Sequence, residues 1–247
     1  MDVKLKIWRY DAGTGEKVLK DYEVDAPEWA CLLDVLDVVK DQVDGTLAYR
    51  KSCRMMICGS CGMRMDGRAV LACKERMKPI VDAGHVPVIS PMGNMPVLKD
   101  MVVDMAPFWA KIRAMKPWVE PGLSEAPEKE HRVSQEEVEP IQKEALCVMC
   151  GCCVSECNSM ESNPDFLGPA AFAKGMRFVG DTRDSERIER LEETSTPPPR
   201  ESKAPDRSSI RPPWAPIPGT RKIVSGIVSR NTERCSGAVP PTTAPTS

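Results

Sequence analysis

The stretch CRMMICGSC, residues 53–61, gathers three cysteines into one short loop. Cys53, Cys58 and Cys61 follow the spacing C-x4-C-x2-C, and Cys73 stands a short distance downstream. Glycines inside and just after the stretch allow the backbone to bend tightly, since glycine has no Cβ to obstruct the turn. Such a loop can direct three thiolates and several backbone N–H groups toward one point. A fourth thiolate can reach the same point from the next strand.

This cysteine spacing is associated with plant-type ferredoxins and their [2Fe–2S] cluster. Two tetrahedral irons need four thiolates, so the sequence predicts a ligand set of Cys53, Cys58, Cys61 and Cys73. Zinc also binds four cysteines, but it usually takes paired C-x2-4-C knuckles rather than an asymmetric loop. We therefore expect [2Fe–2S], and a zinc-stabilised interaction protein is the non-enzymatic alternative.

The residues around this loop predict an α+β domain. Alternating apolar residues indicate strands, and an Asp-Gly pair between two short apolar runs indicates a hairpin. The predicted elements are a strand in VKLKIWRYD (3–11), a returning strand in KVLKDYEV (17–24), a helix in EWACLLDVLDVVKDQV (28–43) with Trp29 on its apolar face, a hairpin at Asp66-Gly67, and a last strand in HVPVISPM (85–92). One helix packed across a mixed sheet is the β-grasp pattern, and it would occupy residues 1–105.

A second cysteine group lies in CVMCGCCVSEC, residues 147–157. Its spacing, C-x2-C-x2-C-x3-C, is typical of iron–sulfur proteins in which the fourth cysteine serves a different cluster from the first three. The four cysteines in that register are Cys147, Cys150, Cys153 and Cys157. Cys152 breaks the register and is predicted to be a packing residue. Zinc is again the alternative.

The chain changes character after the first domain. Helical composition is expected in VLKDMVVDMAPFWAKIRAMKPWV (97–119), with an interruption at Pro107, in IQKEAL (141–146), and in two short helices within residues 169–193. These segments predict an all-α second domain over residues 106–193. Residues 194–247 contain 11 prolines and no sustained period, which predicts a disordered tail.

Composition excludes several classes of protein. The net charge is −2 and gives no nucleic-acid footprint. Nine of the eleven cysteines fall in the two groups, which favours metal ligation over disulfides. The absence of expected disulfides is consistent with a reducing compartment. Of the other two cysteines, Cys31 is predicted to be a small buried hydrophobe. No apolar run reaches the roughly 20 residues of a membrane span, and no signal peptide is expected.

The two cysteine groups in this order, followed by NPDFLGPAAFAKGMRFVGDTRD (163–184), resemble the iron–sulfur subunits of succinate dehydrogenases and the related fumarate reductases. The resemblance covers roughly residues 1–193. It implies a ferredoxin domain that holds [2Fe–2S] and a helical ferredoxin domain that holds [4Fe–4S] and [3Fe–4S]. By motif, Cys147, Cys150 and Cys153 correspond to three [4Fe–4S] ligands, and Cys157 corresponds to the first [3Fe–4S] ligand.

The resemblance also implies partners and a role. Electrons would pass from a flavoprotein subunit toward quinone at a membrane anchor, as part of the tricarboxylic acid cycle and the respiratory chain. The chain would lie on the cytoplasmic face of the plasma membrane through its partners. No residue is expected to perform acid–base chemistry on succinate, and His85 and His131 are read as surface or loop residues. A fumarate reductase subunit is the alternative.

Two departures from the family pattern lead to further expectations. A proline and aromatic residues that help form a quinone pocket are common in the family after the fourth cysteine, whereas residues 158–162 here are Asn-Ser-Met-Glu-Ser, which predicts a quinone contact built differently. The family also has a third cysteine group beyond the helical stretch, and Cys235 alone cannot replace it. We expect a frameshifted or aberrant C-terminus, with a natural divergent tail as the alternative, and incomplete ligand sets for the later clusters.

Overall fold

The computed structural model describes residues 1–11, 13–122, 130 and 132–195. Two long antiparallel strands open the chain, β1 (Asp2–Asp11) and β2 (Glu16–Asp25). The predicted alternation in β1 is confirmed, because Val3, Leu5 and Ile7 are fully buried while Lys4 is exposed. One face of this strand therefore anchors the first hydrophobic core.

The strands form one mixed sheet. After β1 and β2 come β3 (Gly62–Met65), β4 (Arg68–Leu71), β5 (Val88–Ser90), β6 (Val97–Lys99) and β7 (Val102–Val103). The strand order is β4-β3-β5-β1-β6-β7, with β2 paired to β1. Only β5 runs parallel to β1; the other described pairings are antiparallel. The predicted hairpin is confirmed between β3 and β4, where Asp66 and Gly67 both adopt positive φ.

The helix that packs on this sheet begins later than predicted. Helix α1 spans Leu32–Val38 and continues as a π-helical turn over Val39–Val43. Trp29 precedes the helix and is 66% exposed, so its predicted place on the apolar face is wrong. The reason is local, because Ala30 N–H bonds to the Pro27 carbonyl and closes a turn before the helix can start. Cys31 is buried as predicted, and its thiol donates to the Asp34 carboxylate at 3.0 Å.

The helix predicted across residues 97–119 is wrong in its first part, where the chain forms β6 and β7. Asp100 makes the turn between them at φ 46°. Its buried carboxylate accepts hydrogen bonds from the Arg9 guanidinium and from the backbone N–H groups of Tyr10 and Ala48. These bonds fix the segment to the sheet. Helix α3 (Ala106–Ala114) then follows, with Pro107 tolerated in its first turn.

The other regular elements of the described residues are short helices. The remaining helices are α2 (Lys78–Asp82), α4 (Gln135–Val138), a 3-10 turn (Glu139–Ile141), α5 (Gln142–Ala145), α6 (Cys152–Ser155), α7 (Asn158–Ser162), α8 (Pro169–Val179) and α9 (Arg187–Ser195). The predicted pair of helices within residues 169–193 is thus confirmed as α8 and α9. Across the described ranges, no helix is both long and apolar enough to cross a bilayer. The tail prediction lies outside the described residues, apart from the end of α9.

Two hydrophobic cores lie under these elements. The first joins the inward faces of β1 and α1 to residues of β3, β4 and β5, such as Met63 and Ile89. The second joins α3, α6, α7 and α8 to Met92, Met95 and Val103 from the end of the sheet. The fold is therefore α+β, and the two cysteine groups lie against different cores.

Candidate functional site

The loop of residues 53–61 wraps around the Cys53 sulfur. Backbone N–H groups of Met55, Ile57 and Cys58 donate to Cys53 Sγ at 3.4, 3.3 and 3.3 Å. Positive φ angles at Arg54, Met56 and Gly59 turn the chain so that these groups converge. Successive N–H groups that point into one concavity favour a negative charge there. The loop thus suits a thiolate at Cys53.

The next cysteine of the loop is also held in a form that favours ligation. Ser60 Oγ lies 3.1 Å from Cys58 Sγ. This hydrogen bond, together with bonds from the backbone of Cys53 and Ser60, lowers the pKa of Cys58 to about 6. The thiolate is the metal-binding form of cysteine, so Cys58 is prepared to bind at neutral pH.

Cys61 and Cys73 are brought together by the hairpin. Cys61 immediately precedes β3, Cys73 lies two residues beyond β4, and the Ala72 N–H donates to the Cys61 carbonyl at 3.2 Å. Burial raises the pKa of Cys61 to about 11, and a hydrogen bond between the two thiols acts in the same direction. The distant fourth cysteine therefore reaches the end of the loop.

A set of polar contacts ties the loop to helix α1. The Arg54 guanidinium lies 3.2 Å from the Asp34 carboxylate and 2.5 Å from the Asp37 carboxylate. Lys51 and the Tyr49 hydroxyl also donate to Asp37. Burial alone would raise the pKa of Asp37, but the hydrogen bonds from Lys51, Tyr49 and Arg54 outweigh burial and lower it. The ionised carboxylate thus anchors the loop from outside.

The second cysteine group surrounds the start of α6. Gly151, at φ 81°, precedes this helix and turns the chain sharply. A hydrogen bond with Cys152 lowers the pKa of Cys150 to about 6 and raises that of Cys152. The pKa of Cys153 is raised by burial first, and then by the neighbouring charges of Cys150 and Cys147. Cys147, Cys150 and Cys153 therefore lie near one another, and Cys152, read from sequence as packing only, contacts this group.

Cys157 stands at the other end of this run. It precedes α7, and its carbonyl accepts a hydrogen bond from the Asn94 amide at 3.0 Å. Cys157 packs against the second core together with Cys152. Cys235 lies outside the described residues.

An open cavity of about 460 Å³ lies beside Cys157. It is lined by Asn158, Ser159, Ser162, Asn163 and Phe166. Three of the five lining residues belong to the segment 158–162 that departs from the family pattern, and most of the exposed surface of the cavity is apolar.

The donor set fits a thiolate-bound cluster in the first group. No three His, Cys, Asp or Glu side chains in the described parts of the chain are arranged to hold a single metal ion. The fit rests instead on the Cys53 sulfur with its three N–H donors, the acidic Cys58 thiol and the paired Cys61 and Cys73. Hydrogen bonds to sulfur are the means by which proteins stabilise and tune iron–sulfur clusters.

The two cysteine groups also touch, a contact that sequence reasoning missed. A Cβ added at Gly59 would lie 2.7 Å from both Cα and Cβ of Cys150. The cysteine spacing gives Gly59 a role only in the turn of its own loop. Its role at a contact between distant parts of the chain left no local signal.

Comparison with known proteins agrees with this geometry. A family model described as a 2Fe-2S iron-sulfur cluster binding domain matches residues 4–110, which include Cys53, Cys58, Cys61 and Cys73. The chain is 35% identical over 193 residues to a mitochondrial succinate dehydrogenase [ubiquinone] iron-sulfur subunit 3 from Arabidopsis thaliana, covering 77% of this chain and 62% of the relative. The chain thus spans less than two thirds of the length of that relative.

In two further comparisons, the similarity covers most of this chain and most of the other protein. A fumarate reductase iron-sulfur subunit from Haemophilus influenzae is 35% identical over 201 residues, with 76% of this chain and 77% of the relative covered. A chain of the Mycobacterium smegmatis Sdh1 complex in the apo form aligns with a TM-score of 0.67 and 28% identity, covering 78% of this chain and 82% of that one. The sequence similarity therefore extends over most of this chain, and the fold is shared with the solved chain.

Proposed function

Because the chain belongs to the family of succinate dehydrogenase and fumarate reductase iron–sulfur subunits and carries the 2Fe-2S binding domain, we propose that it is an electron-transfer subunit of a succinate:quinone oxidoreductase. The observation that carries the proposal is the first loop, where three backbone N–H groups converge on Cys53 Sγ inside the matched domain. The match to a 2Fe-2S domain favours this function over a zinc-stabilised interaction protein.

The ligand assignment is part of the proposal. Cys53, Cys58, Cys61 and Cys73 would hold [2Fe–2S]. By family motif, [4Fe–4S] would take Cys147, Cys150 and Cys153, while [3Fe–4S] would take Cys157. Downstream of these groups the 247 residues offer only Cys235, so the ligand sets for the two later clusters are incomplete. We therefore propose that this polypeptide holds [2Fe–2S] and does not hold the later clusters securely.

The chain's own residues would support one-electron chemistry at the first site. A [2Fe–2S] cluster, when bound, accepts and releases a single electron. The N–H groups of Met55, Ile57 and Cys58 stabilise negative charge on the Cys53 sulfur. Arg54, fixed by Asp34 and Asp37, holds the loop in place while that charge changes. None of these groups transfers a proton, so succinate oxidation would occur on a partner.

The division into domains follows the two cores. We propose a β-grasp ferredoxin domain over residues 1–105 and an incomplete helical ferredoxin domain over residues 106–193, with residues 194–247 as a disordered tail. Support comes from the confinement of the first core to residues before 105 and from the helices that follow. Met92, Met95 and Val103 lie within residues 1–105 but pack in the second core. The two proposed domains are therefore in direct hydrophobic contact.

The proposed partners are a flavoprotein subunit that carries FAD, one or more membrane anchor subunits, and quinone. The chain would be peripheral on the cytoplasmic face of the plasma membrane through those subunits. Nucleic acid is not among the proposed partners. A fumarate reductase subunit is the second candidate, because the Haemophilus influenzae relative bears that name.

Reduction by succinate tests this function. The reconstituted chain is mixed with the flavoprotein subunit, succinate is added, and the EPR signal of reduced [2Fe–2S] is recorded. We expect a signal that depends on both succinate and the flavoprotein. A cluster that dithionite reduces but succinate with flavoprotein never does would contradict the proposed role while leaving the cluster assignment intact.

A further inference from the structure

The second cysteine run lies directly on the first cysteine loop, with glycines at the contact. At Gly59, an added Cβ would approach the Cα and Cβ of Cys150 to 2.7 Å, a distance that real Cβ atoms essentially never show. At Gly62, an added Cβ would lie 3.2 Å from the Cys150 carbonyl oxygen. The backbone of the run therefore occupies the space that side chains at these positions would fill.

A second set of contacts, away from the first loop, joins the same run to Gly93 and Asn94. The Gly93 N–H donates to Ser155 Oγ at 2.9 Å, and a Cβ at Gly93 would lie 2.8 Å from the Ser155 carbonyl oxygen. The Asn94 amide donates to the carbonyls of Val154 and Cys157 at 2.8 and 3.0 Å. These bonds fix residues 154–157 to the loop that precedes β6.

An ion pair closes this attachment. Arg64 Nε of strand β3 lies 3.0 Å from Glu156 Oε1, and the Ser155 hydroxyl donates to the same oxygen at 3.1 Å. A continuous chain of hydrogen bonds thus runs from Gly93 through Ser155 to Glu156 and Arg64. Arg64 follows Cys61 by three positions, so the ion pair lies on the strand that leaves the first loop.

We propose that residues 147–157 form one wall of the first cluster site, and that Gly59 and Gly93 are positioning residues for this wall. The proposal rests on the proposed function in one respect, which is that the first loop holds [2Fe–2S]. Its new content is that the second cysteine run regulates the reduction potential of the first site by contact, whether or not the run holds a cluster of its own.

The physical reason is the exclusion of water from the side of the site that this wall covers; Cys58 remains exposed elsewhere. Reduction adds negative charge to a cluster, and water stabilises that charge better than a packed protein wall does. Solvent exposure and hydrogen bonds to the sulfurs are established determinants of cluster potential. With the wall in place, the first site should therefore have a lower potential than with the wall displaced. The direct contact of Gly59 with Cys150 also leaves no side chain between the two cysteine groups.

Glycine substitutions test the wall with internal controls. Gly59→Ala and Gly93→Ala each force a Cβ into the backbone of the run from a different place. Gly67→Ala and Gly84→Ala are the matched controls, because both glycines face open space. Gly67 has φ +79°, close to the φ +70° of Gly59, so it reproduces the backbone strain without the contact.

Two readouts are measured on the full 247-residue chain: deuterium uptake of the peptide covering residues 147–157, and the midpoint potential of the [2Fe–2S] cluster by EPR-monitored titration. We expect faster uptake and an upward shift of potential in Gly59→Ala and Gly93→Ala, and wild-type values in both controls. If Gly59→Ala fails to assemble a cluster, Gly93→Ala decides, since it lies outside the cysteine loop.

The possible failures are distinguishable. Unchanged uptake and unchanged potential in both contact variants would overturn the wall. Faster uptake with an unchanged potential would overturn its effect on the cluster. A wild-type chain that binds no iron–sulfur cluster would contradict the proposed function and the potential effect together, while uptake in the cluster-free chain would still decide whether the wall exists.

Discussion

Arg54 of the first cysteine loop pairs with Asp37 of helix α1, with 2.5 Å between Nη2 and Oδ2. The pair crosses from the candidate ligand loop to the helix that covers the sheet. Asp37 also accepts hydrogen bonds from the Lys51 ammonium group and the Tyr49 hydroxyl. One largely buried carboxylate therefore binds three donors from residues 49–54. The loop is therefore held by the fold as well as by any cluster it binds.

Asp37→Ala should shorten the lifetime of the [2Fe–2S] cluster severalfold, because it removes one of the two carboxylates that hold Arg54 and so loosens the loop around Cys53. Cluster loss is followed by the decay of visible absorbance in the presence of a chelator. Asp82→Ala is the control, since Asp82 makes an exposed ion pair with Lys78 away from the cysteines. Equal cluster lifetimes in the two variants would show that the anchor does not matter.

Cys73→Ala should remove the [2Fe–2S] cluster, because Cys73 is the one proposed ligand outside the loop and three thiolates cannot complete two tetrahedral irons. Iron and acid-labile sulfide per chain are measured after reconstitution. Cys31→Ala is the control, because Cys31 is buried at the start of α1 and its thiol bonds to Asp34. Loss of the cluster in Cys31→Ala, with retention in Cys73→Ala, would reverse the assignment.

Asp184→Ala should destabilise the helical half strongly. Arg190 and Asp184 form an ion pair with 1% and 0% side-chain exposure, and Arg190 also donates to the Met115 and Trp118 carbonyls. Removing one partner of such a pair leaves a buried charge and costs about 3–5 kcal/mol. Urea unfolding measures the change.

Lys78→Ala provides the comparison for that measurement. Lys78 makes exposed pairs with Glu28 and Asp82, and exposed pairs contribute roughly 0–1 kcal/mol. Similar losses of unfolding free energy in Asp184→Ala and Lys78→Ala would contradict the buried-pair account.

The same ion pair predicts a pH dependence of stability. Burial would raise the pKa of Asp184, but the hydrogen bond and charge of Arg190 outweigh burial and lower it below its ordinary value. A lowered folded-state pKa contributes stability above the unfolded pKa of about 3.9, and this contribution is lost as the pH falls through the folded value. Asp184→Asn should therefore lose less unfolding free energy than wild type between about pH 5 and pH 3. An equal loss in the two proteins would contradict the prediction.

Local patterns predicted the first half of the fold well. The alternation in β1 and the Asp66-Gly67 turn are properties of a few neighbouring residues, and both are confirmed. The start of α1 was misplaced because a turn closed by Ala30 and Pro27 precedes it. Residues 97–103 were misread as helix because their strand pairing depends on Asp100, whose partners Arg9 and Ala48 are distant in sequence.

In the candidate site, too, features set by neighbouring residues could be predicted and contacts between distant residues could not. Cysteine spacing predicted the first group, because the ligands of a tight loop are close in sequence as well as in space. The contact of Gly59 with Cys150 and the bond of Gly93 to Ser155 could not be predicted, since each joins the two cysteine-bearing halves of the chain. Spacing also gave no indication that Cys152 would contact Cys150.

The iron content of the reconstituted 247-residue chain tests the central claim most directly. Anaerobic reconstitution is followed by iron and sulfide analysis and by EPR after reduction. The account predicts about two irons per chain and the signal of a single [2Fe–2S] cluster, given one complete set of four cysteines. A value close to nine, the sum for all three cluster types, would contradict the incomplete ligand sets. A colourless protein with stoichiometric zinc would contradict the cluster itself.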